Sequence, residues 1–118
     1  MITELWPGQI FVFGSNTSGK HLGGAALQAL QWGARDGVSR GSSGRTYAIE
    51  TMVLEDRQFL GWDKIKEQLL ELCDFAKKND DYQFLLTAIG CGIAGGNLED
   101  LEKILEDIDL PENIARLW

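Results

Sequence analysis

The sequence predicts an α/β fold built on a largely parallel sheet, and three observations lead there. Short apolar runs rich in β-branched and aromatic residues, at 9–13, 46–51 and 82–89, are separated by stretches of helical character. That alternation, at this spacing, implies crossover connections between parallel strands. Two of the runs empty directly into glycine-rich segments, as strands do where an α/β sheet presents its ligand-binding loops.

Residues 9–13 are too short and too rich in β-branched and aromatic side chains for a helix, and read as a buried strand. Residues 23–34 read as a helix of small residues lying close on the sheet, with Gly33 as its C-terminal stop. Three glycines and three serines within 35–45 predict a loop, and 46–51 a second strand; no element is assigned over 52–60. Trp62 or Asp63 opens a long helix to about Asn79, because Ile65, Leu69, Leu72, Cys73 and Ala76 repeat along one face. Asn79-Asp80-Asp81 is a turn and 82–89 a buried strand. Asn97 caps the next helix with Asp100 three positions on, Leu101, Ile104, Leu105 and Ile108 face inward, and Pro111 ends it. Residues 113–118 read as a last short strand.

A chain of 118 residues supports a single core, and 44% hydrophobic with 25% charged residues is ordinary for a globular domain. The N-terminus has neither a basic start nor a long apolar stretch, so neither signal peptide nor membrane span is expected, and the cytoplasm is the expected location. Cys73, Cys91 and the single histidine, His21, have no metal-ligand spacing, so no metal and no cofactor are expected. A net charge of −7 argues against DNA or RNA as a partner, since phosphate neutralisation needs a basic face. The charge is uneven: residues 20–45 hold Lys20, Arg35, Arg40 and Arg45 against Asp36 alone. That is the pattern of an acidic protein binding a small anion, and equally of solvated loop charges.

The first glycine segment runs Gly14-Ser15-Asn16-Thr17-Ser18-Gly19-Lys20-His21-Leu22-Gly23-Gly24-Ala25-Ala26, and the second Gly90-Cys91-Gly92-Ile93-Ala94-Gly95-Gly96. A strand that leads into a glycine loop and then a helix lets backbone N–H groups converge on an anion. Glycine is needed where a Cβ would keep a phosphate beyond hydrogen-bond reach, and Gly92 is expected at such a point, with room for a positive φ. Two loops of this kind suggest one nucleotide-like ligand gripped from both sides.

In these segments the chain resembles the macrodomains, which bind ADP-ribose. Their first loop is an asparagine followed by His-Gly-Gly-Gly-Val-Ala; here Asn16 precedes His21-Leu22-Gly23-Gly24-Ala25-Ala26, with Leu22 at the first glycine and Ala25 at the valine. Their second loop, Ser-x-Gly-Ile-aromatic-Gly, is similar to Gly90-Cys91-Gly92-Ile93-Ala94-Gly95, with Ala94 at the aromatic position. Ile89-Gly90-Cys91-Gly92 is similar to the branch that removes ADP-ribose from glutamate side chains. Val12-Phe13-Gly14-Ser15-Asn16 with Tyr47-Ala48-Ile49 is similar to small macro-like proteins of phages and bacteria. The resemblance spans roughly residues 10–105, is specific at the two loops, and implies one three-layer α/β/α macro-like domain over 1–118 with a mixed, largely parallel sheet.

The resemblance also implies roles. Asn16 would contact the distal ribose, and the loop bearing Lys20, His21, Gly23, Gly24 and Ala25 would wrap that ribose and one phosphate, beside Gly14 and Ser15. Gly90, Cys91, Gly92, Ile93, Ala94 and Gly95 would cradle the diphosphate through backbone amides, aided by the N-terminus of the following helix. Asn16 and His21 are the catalytic candidates. Ala94 stands where the glutamate-directed hydrolases have an aspartate, and residues 23–34 lack the lysine that forms their covalent sugar adduct. Only nine residues precede Ile10, so the early strand that carries the adenine-reading aspartate is expected to be missing or replaced.

Individual residues also have plainer readings. His21 has no acidic neighbour to orient it and reads as a loop histidine making backbone or ribose contacts before it reads as a base. Cys91 sits where a helix N-terminus could lower a thiol pKa, yet reads first as a small residue chosen for fit. Trp6, Trp32, Trp62 and Trp118 could stack an adenine but are more often packing, and the acidic runs are solvated helix faces. The expected function is therefore binding of ADP-ribose or a related nucleotide, free or on an ADP-ribosylated protein. Hydrolysis at the distal ribose is the enzymatic alternative, and a protein-interaction module the third.

Overall fold

The computed structural model describes residues 2–118; Met1 lies outside them. In chain order the elements are β1 (Gln9–Asn16), α1 (Gly24–Ala29) with a 3₁₀ turn at Leu30–Trp32, β2 (Gly41–Ser43), β3 (Thr46–Val53), β4 (Gln58–Phe59), α2 (Trp62–Lys78), β5 (Gln83–Leu86), α3 (Leu98–Asp107) and β6 (Ile114–Arg116). The six strands form one mixed sheet ordered β2-β3-β1-β5-β6, with β4 pairing β3 farther along its length. β1 runs parallel to β3 and to β5, and β5 parallel to β6. The antiparallel pairs are β2 and β4 against β3. Among the described residues no helix is long and apolar enough to cross a membrane.

Strand side chains alternate between two cores. Val12, Tyr47, Ile49, Phe84 and Leu86 pack with Ile65, Leu69 and Leu72 of α2 and Leu101 and Leu105 of α3. Phe11, Phe13, Ala48 and Leu85 pack on the other side with Leu5, Ala26, Ala29 and Ala34. Because both faces are covered, the central strands carry continuous apolar runs rather than alternating ones. The alanines of α1 bring that short helix close to the sheet, and Trp32 fills the space beyond it, its ring 4.9 Å from that of Phe11.

Several elements differ from the expectation. β1 does not stop at residue 13 but carries Gly14, Ser15 and Asn16 as strand, because β3 stays paired to it, with an irregularity between Ser15 and Asn16. The helix expected over 23–34 is α-helical only to Ala29. Gly33, at φ +108°, ends the 3₁₀ turn, and its backbone lies so close to that of Gly44 that a Cβ would sit 2.9 Å from the Gly44 Cα. The loop expected over 35–45 contains β2, a strand of small residues defined by its partner rather than by its own pattern. Residues 52–60 complete β3 and return as β4. The strand expected over 82–89 ends at Leu86, and Ile89 N then donates to Thr87 O at 2.8 Å, turning the chain away. Asn97 caps α3 as expected, Oδ1 accepting Glu99 N at 2.7 Å, while Asp100 contributes only its backbone N–H, donated to Asn97 O at 3.1 Å.

One buried polar side chain completes the sheet. Between the β2 and β4 pairings, Glu50 N donates to Gln68 Oε1 at 2.7 Å, and Gln68 Nε2 donates to Glu50 O at 2.8 Å. The amide of Gln68, 2% exposed on the inner face of α2, thus replaces a missing strand partner. Gln68→Leu leaves both backbone groups unsatisfied and is expected to lower stability by about 1–3 kcal/mol. Gln68→Glu, which keeps an acceptor but no donor, should also destabilise; urea denaturation of the three proteins measures this.

Candidate functional site

The site originates in unequal strand lengths. β1 remains paired to β3 as far as Asn16, but its last bridge to β5 joins Val12 to Leu86. Thr87 closes that ladder, its N and Oγ1 both donating to Val12 O at 3.2 and 2.8 Å. Backbone groups point alternately to the two sides of a strand, so Gly14, two residues past Val12, directs its N–H into the gap that β5 has left. That gap floors a cavity of about 420 Å³, within the usual range of roughly 300–1,000 Å³ for small-molecule sites. β1 exits toward α1 on one face, whereas β3 and β5 exit toward α2 and α3 on the other. A crevice at carboxyl strand ends with diverging exits is where open α/β sheets bind ligands.

Both glycine segments reach this cavity. Gly14, Ser15 and Asn16 form its floor, and Lys20, Gly23, Gly24 and Ala25 line it from the first loop. Gly90, Gly92, Ile93 and Ala94 line it from the second. Three residues named from the sequence are not on it: His21, Cys91 and Gly95. Others that the sequence did not single out are, notably Thr51, Met52, Leu54 and Arg57 from the end of β3 and the turn after it. Thr87, Ala88 and Ile89 line the β5 side, and Leu22 and Ala26 the approach from α1. Leu22 and Ile93, 70% and 78% exposed, make two apolar lips.

Asn16 is committed to the backbone of its own loop. Its Nδ2 donates to Lys20 O at 2.7 Å and its Oδ1 accepts Lys20 N at 3.2 Å, so this buried amide closes the 16–20 turn and fixes where Lys20 emerges. The loop is fastened to the end of β3 by Thr17 N donating to Met52 O at 3.0 Å and by the Ser18 hydroxyl donating to the Glu55 carboxylate. That hydroxyl holds the Glu55 carboxyl below its ordinary pKa.

His21, 2% exposed, turns inward instead of toward the cavity. Its ring stands edge-on to Phe13 at 5.3 Å, and its Nε2 lies 2.9 Å from Arg35 O. A carbonyl oxygen only accepts, so Nε2 carries the hydrogen; Nδ1 is buried without a partner among the described residues. As expected from the sequence, no carboxylate orients the ring; Asp36 Oδ1 accepts only the His21 backbone N–H, at 3.1 Å.

The second loop is a tight turn packed at its base. Gly95 N donates to Gly92 O at 3.0 Å and Gly96 N to Gly90 O at 2.7 Å. Gly90, at φ +76°, is a packing glycine, since a Cβ there would meet Ile65 Cδ1 at 3.3 Å. Gly92 is not in the left-handed region, and a Cβ there would meet no protein atom within 4 Å. The expected help from a helix N-terminus is absent, because α3 begins only at Leu98 and Asn97 caps it. For the same reason Cys91 is not activated: burial, then the charges of Asp100 and Glu102, push its thiol pKa up, and its Sγ rests 3.5 Å from Ile89 O.

The basic stretch also disperses. Arg40 pairs with Glu71 of α2, Arg45 donates to Trp6 O at 2.6 Å, and Arg35 is not on the cavity. Lys20 alone of that stretch lines the site, joined by Arg57, which sequence reasoning missed because it lies in a short turn within 52–60. No carboxylate and no imidazole line the cavity, and among the described residues no cluster of His, Cys, Asp and Glu could hold a metal ion.

No protein-family model matches the chain, and neither a curated protein nor a solved structure matches it. Since the thiolate is the reactive form, Cys91 should react with iodoacetamide at neutral pH more slowly than free cysteine, its rate still climbing with pH where that of free cysteine has levelled off. Mass-spectrometric alkylation kinetics of the native protein, compared with free cysteine, measure this.

Proposed function

We propose that this chain is a small three-layer macro-like domain that binds ADP-ribose or a related ADP-ribose-derived nucleotide in the cavity at the carboxyl ends of β1, β3 and β5. It would act as a reader, sponge or sensor of that nucleotide, free or attached to a protein. The observation that carries this reading is the convergence of two glycine segments, far apart in sequence, on one cavity beside a strand that runs past the end of its partner β5. Backbone at Gly92 is bare toward the cavity, which suits a phosphate held by amides, and Leu22, Leu54 and Ile93 supply apolar surface for a sugar or base.

Binding is favoured over hydrolysis by the composition of the lining. General acid–base catalysis needs a proton-transfer group within hydrogen-bond reach of the substrate. The ionisable side chains on the cavity are the cations Lys20 and Arg57, while the sole histidine faces the core. Asn16, whose amide holds Lys20, acts in this reading by shaping the first loop.

Calorimetric titration is expected to show ADP-ribose binding more tightly than AMP or ribose 5-phosphate, because the distal ribose and both phosphates each add contacts. Equal affinity for AMP would remove the two-loop assignment. Gly92→Val puts a branched side chain into space that is empty of protein, so it should abolish ADP-ribose binding while leaving the circular dichroism and melting temperature near wild type. Undiminished affinity in that variant would exclude residues 90–94 from the site.

A further inference from the structure

The cavity has a charge asymmetry that the glycine loops do not explain. In a chain of net charge −7, the ionisable residues lining it are two cations, Lys20 and Arg57, and no carboxylate. Both belong to one wall. Lys20 emerges from the turn closed by Asn16, which the Thr17–Met52 and Ser18–Glu55 hydrogen bonds fasten to the end of β3, where Arg57 follows. The facing wall, on the β5 side of β1, is the neutral backbone of residues 90–94.

Neither cation is in a direct ion pair, although the charge of Lys20 is felt by Glu55. Among the described residues the single ion pair joins Arg40 to Glu71. The carboxylates beside Arg57 in sequence keep their charge but take their hydrogen bonds from neutral donors rather than from a cation: Glu55 accepts from Ser18, and Asp56 Oδ1 accepts Gln58 N at 3.2 Å. Arg57 is also the one non-glycine residue among those described with a positive φ, 54°, in the turn where its N–H donates to Leu54 O at 3.3 Å. That conformation closes the four-residue hairpin turn between β3 and β4, which fixes where the Arg57 side chain leaves the chain.

We propose that Arg57 is a specificity-determining residue which, with Lys20, forms a cationic wall that selects nucleotides by the charge of their phosphate chain, preferring two linked phosphates to one or none. The inference rests on the nucleotide-binding reading above and deepens it. A guanidinium offers paired N–H donors to phosphate oxygens, the ammonium of Lys20 adds a second point charge, and the amides of residues 90–94 complete the grip from the other side.

The test titrates ADP-ribose, inorganic pyrophosphate and adenosine into the wild-type protein and four variants, Arg57→Gln, Arg57→Gly, Lys20→Gln and Arg35→Gln. Loss of a hydrogen bond to a charged group corresponds to about tenfold or more in affinity. Arg57→Gln and Lys20→Gln should each weaken ADP-ribose and pyrophosphate by about that factor, leave adenosine unchanged, and flatten the salt dependence. Arg57→Gly should lose as much affinity without a fall in melting temperature, because glycine accepts φ 54° freely, which separates the charge from the fold. Arg35→Gln, off the cavity, should bind as wild type. Wild-type affinity for ADP-ribose in Arg57→Gln, or an equal loss in Arg35→Gln, overturns the proposal. Pyrophosphate binding that depends on Arg57, without ADP-ribose binding, sinks the nucleotide reading and upholds the cationic wall. Binding of neither anion by the wild type overturns both.

Discussion

The candidate site of this molecule depends on β1 being longer than β5. Had the two strands ended together, Gly14 would be one more rung of a parallel ladder and the carboxyl end of the sheet would be closed. Instead β3 holds β1 straight through Asn16 while Thr87 terminates the other ladder at Val12. The length mismatch opens a crevice between neighbouring strands and turns the N–H of Gly14 toward it. The loops on either side then only have to form its walls.

Those walls are held by side chains that bond to backbone. Asn16 closes the first loop on Lys20, Gln68 replaces a strand beside Glu50, Thr87 doubles the last bond to Val12, and the backbone N–H of His21 is held by Asp36. Each polar side chain that bonds main chain in this way satisfies a backbone group and fixes a segment that lacks regular hydrogen bonding. The consequence is a site assembled mostly from loops whose geometry is set before any ligand arrives. Preorganisation of that kind lowers the ordering cost of binding.

Electrostatically, the fold sorts charges that the sequence leaves mixed. Arg40 and Arg45 go to surface contacts with Glu71 and the Trp6 carbonyl, and the acidic residues of α2 and α3 lie on solvated faces. Lys20 and Arg57, from different segments, are left on the cavity. An acidic protein can therefore line a cavity with cations alone without a basic domain, since side chains on the lining act at shorter range than the carboxylates around it.

By itself the sequence determined the elements whose pattern is local. The stripe from Ile65 to Ala76 made α2, Asn97 made the start of α3, and the apolar runs at 9–13, 46–51 and 82–89 marked the three strands at the centre of the sheet. The two glycine segments were also visible as a pair. Tertiary structure alone decided where strands end and which side chains reach the cavity. β2 is strand because β3 lies beside it, and β1 extends past residue 13 because β3 does; neither fact is written in the residues concerned. His21 shares a loop with Lys20, yet one packs on Phe13 and the other lines the cavity, because a loop's side-chain directions are set by what the loop is fastened to. Arg57 carried no signal in its own short turn and entered the site only because β3 ends beside β1, as strand pairing is a long-range choice that periodicity along the chain does not encode.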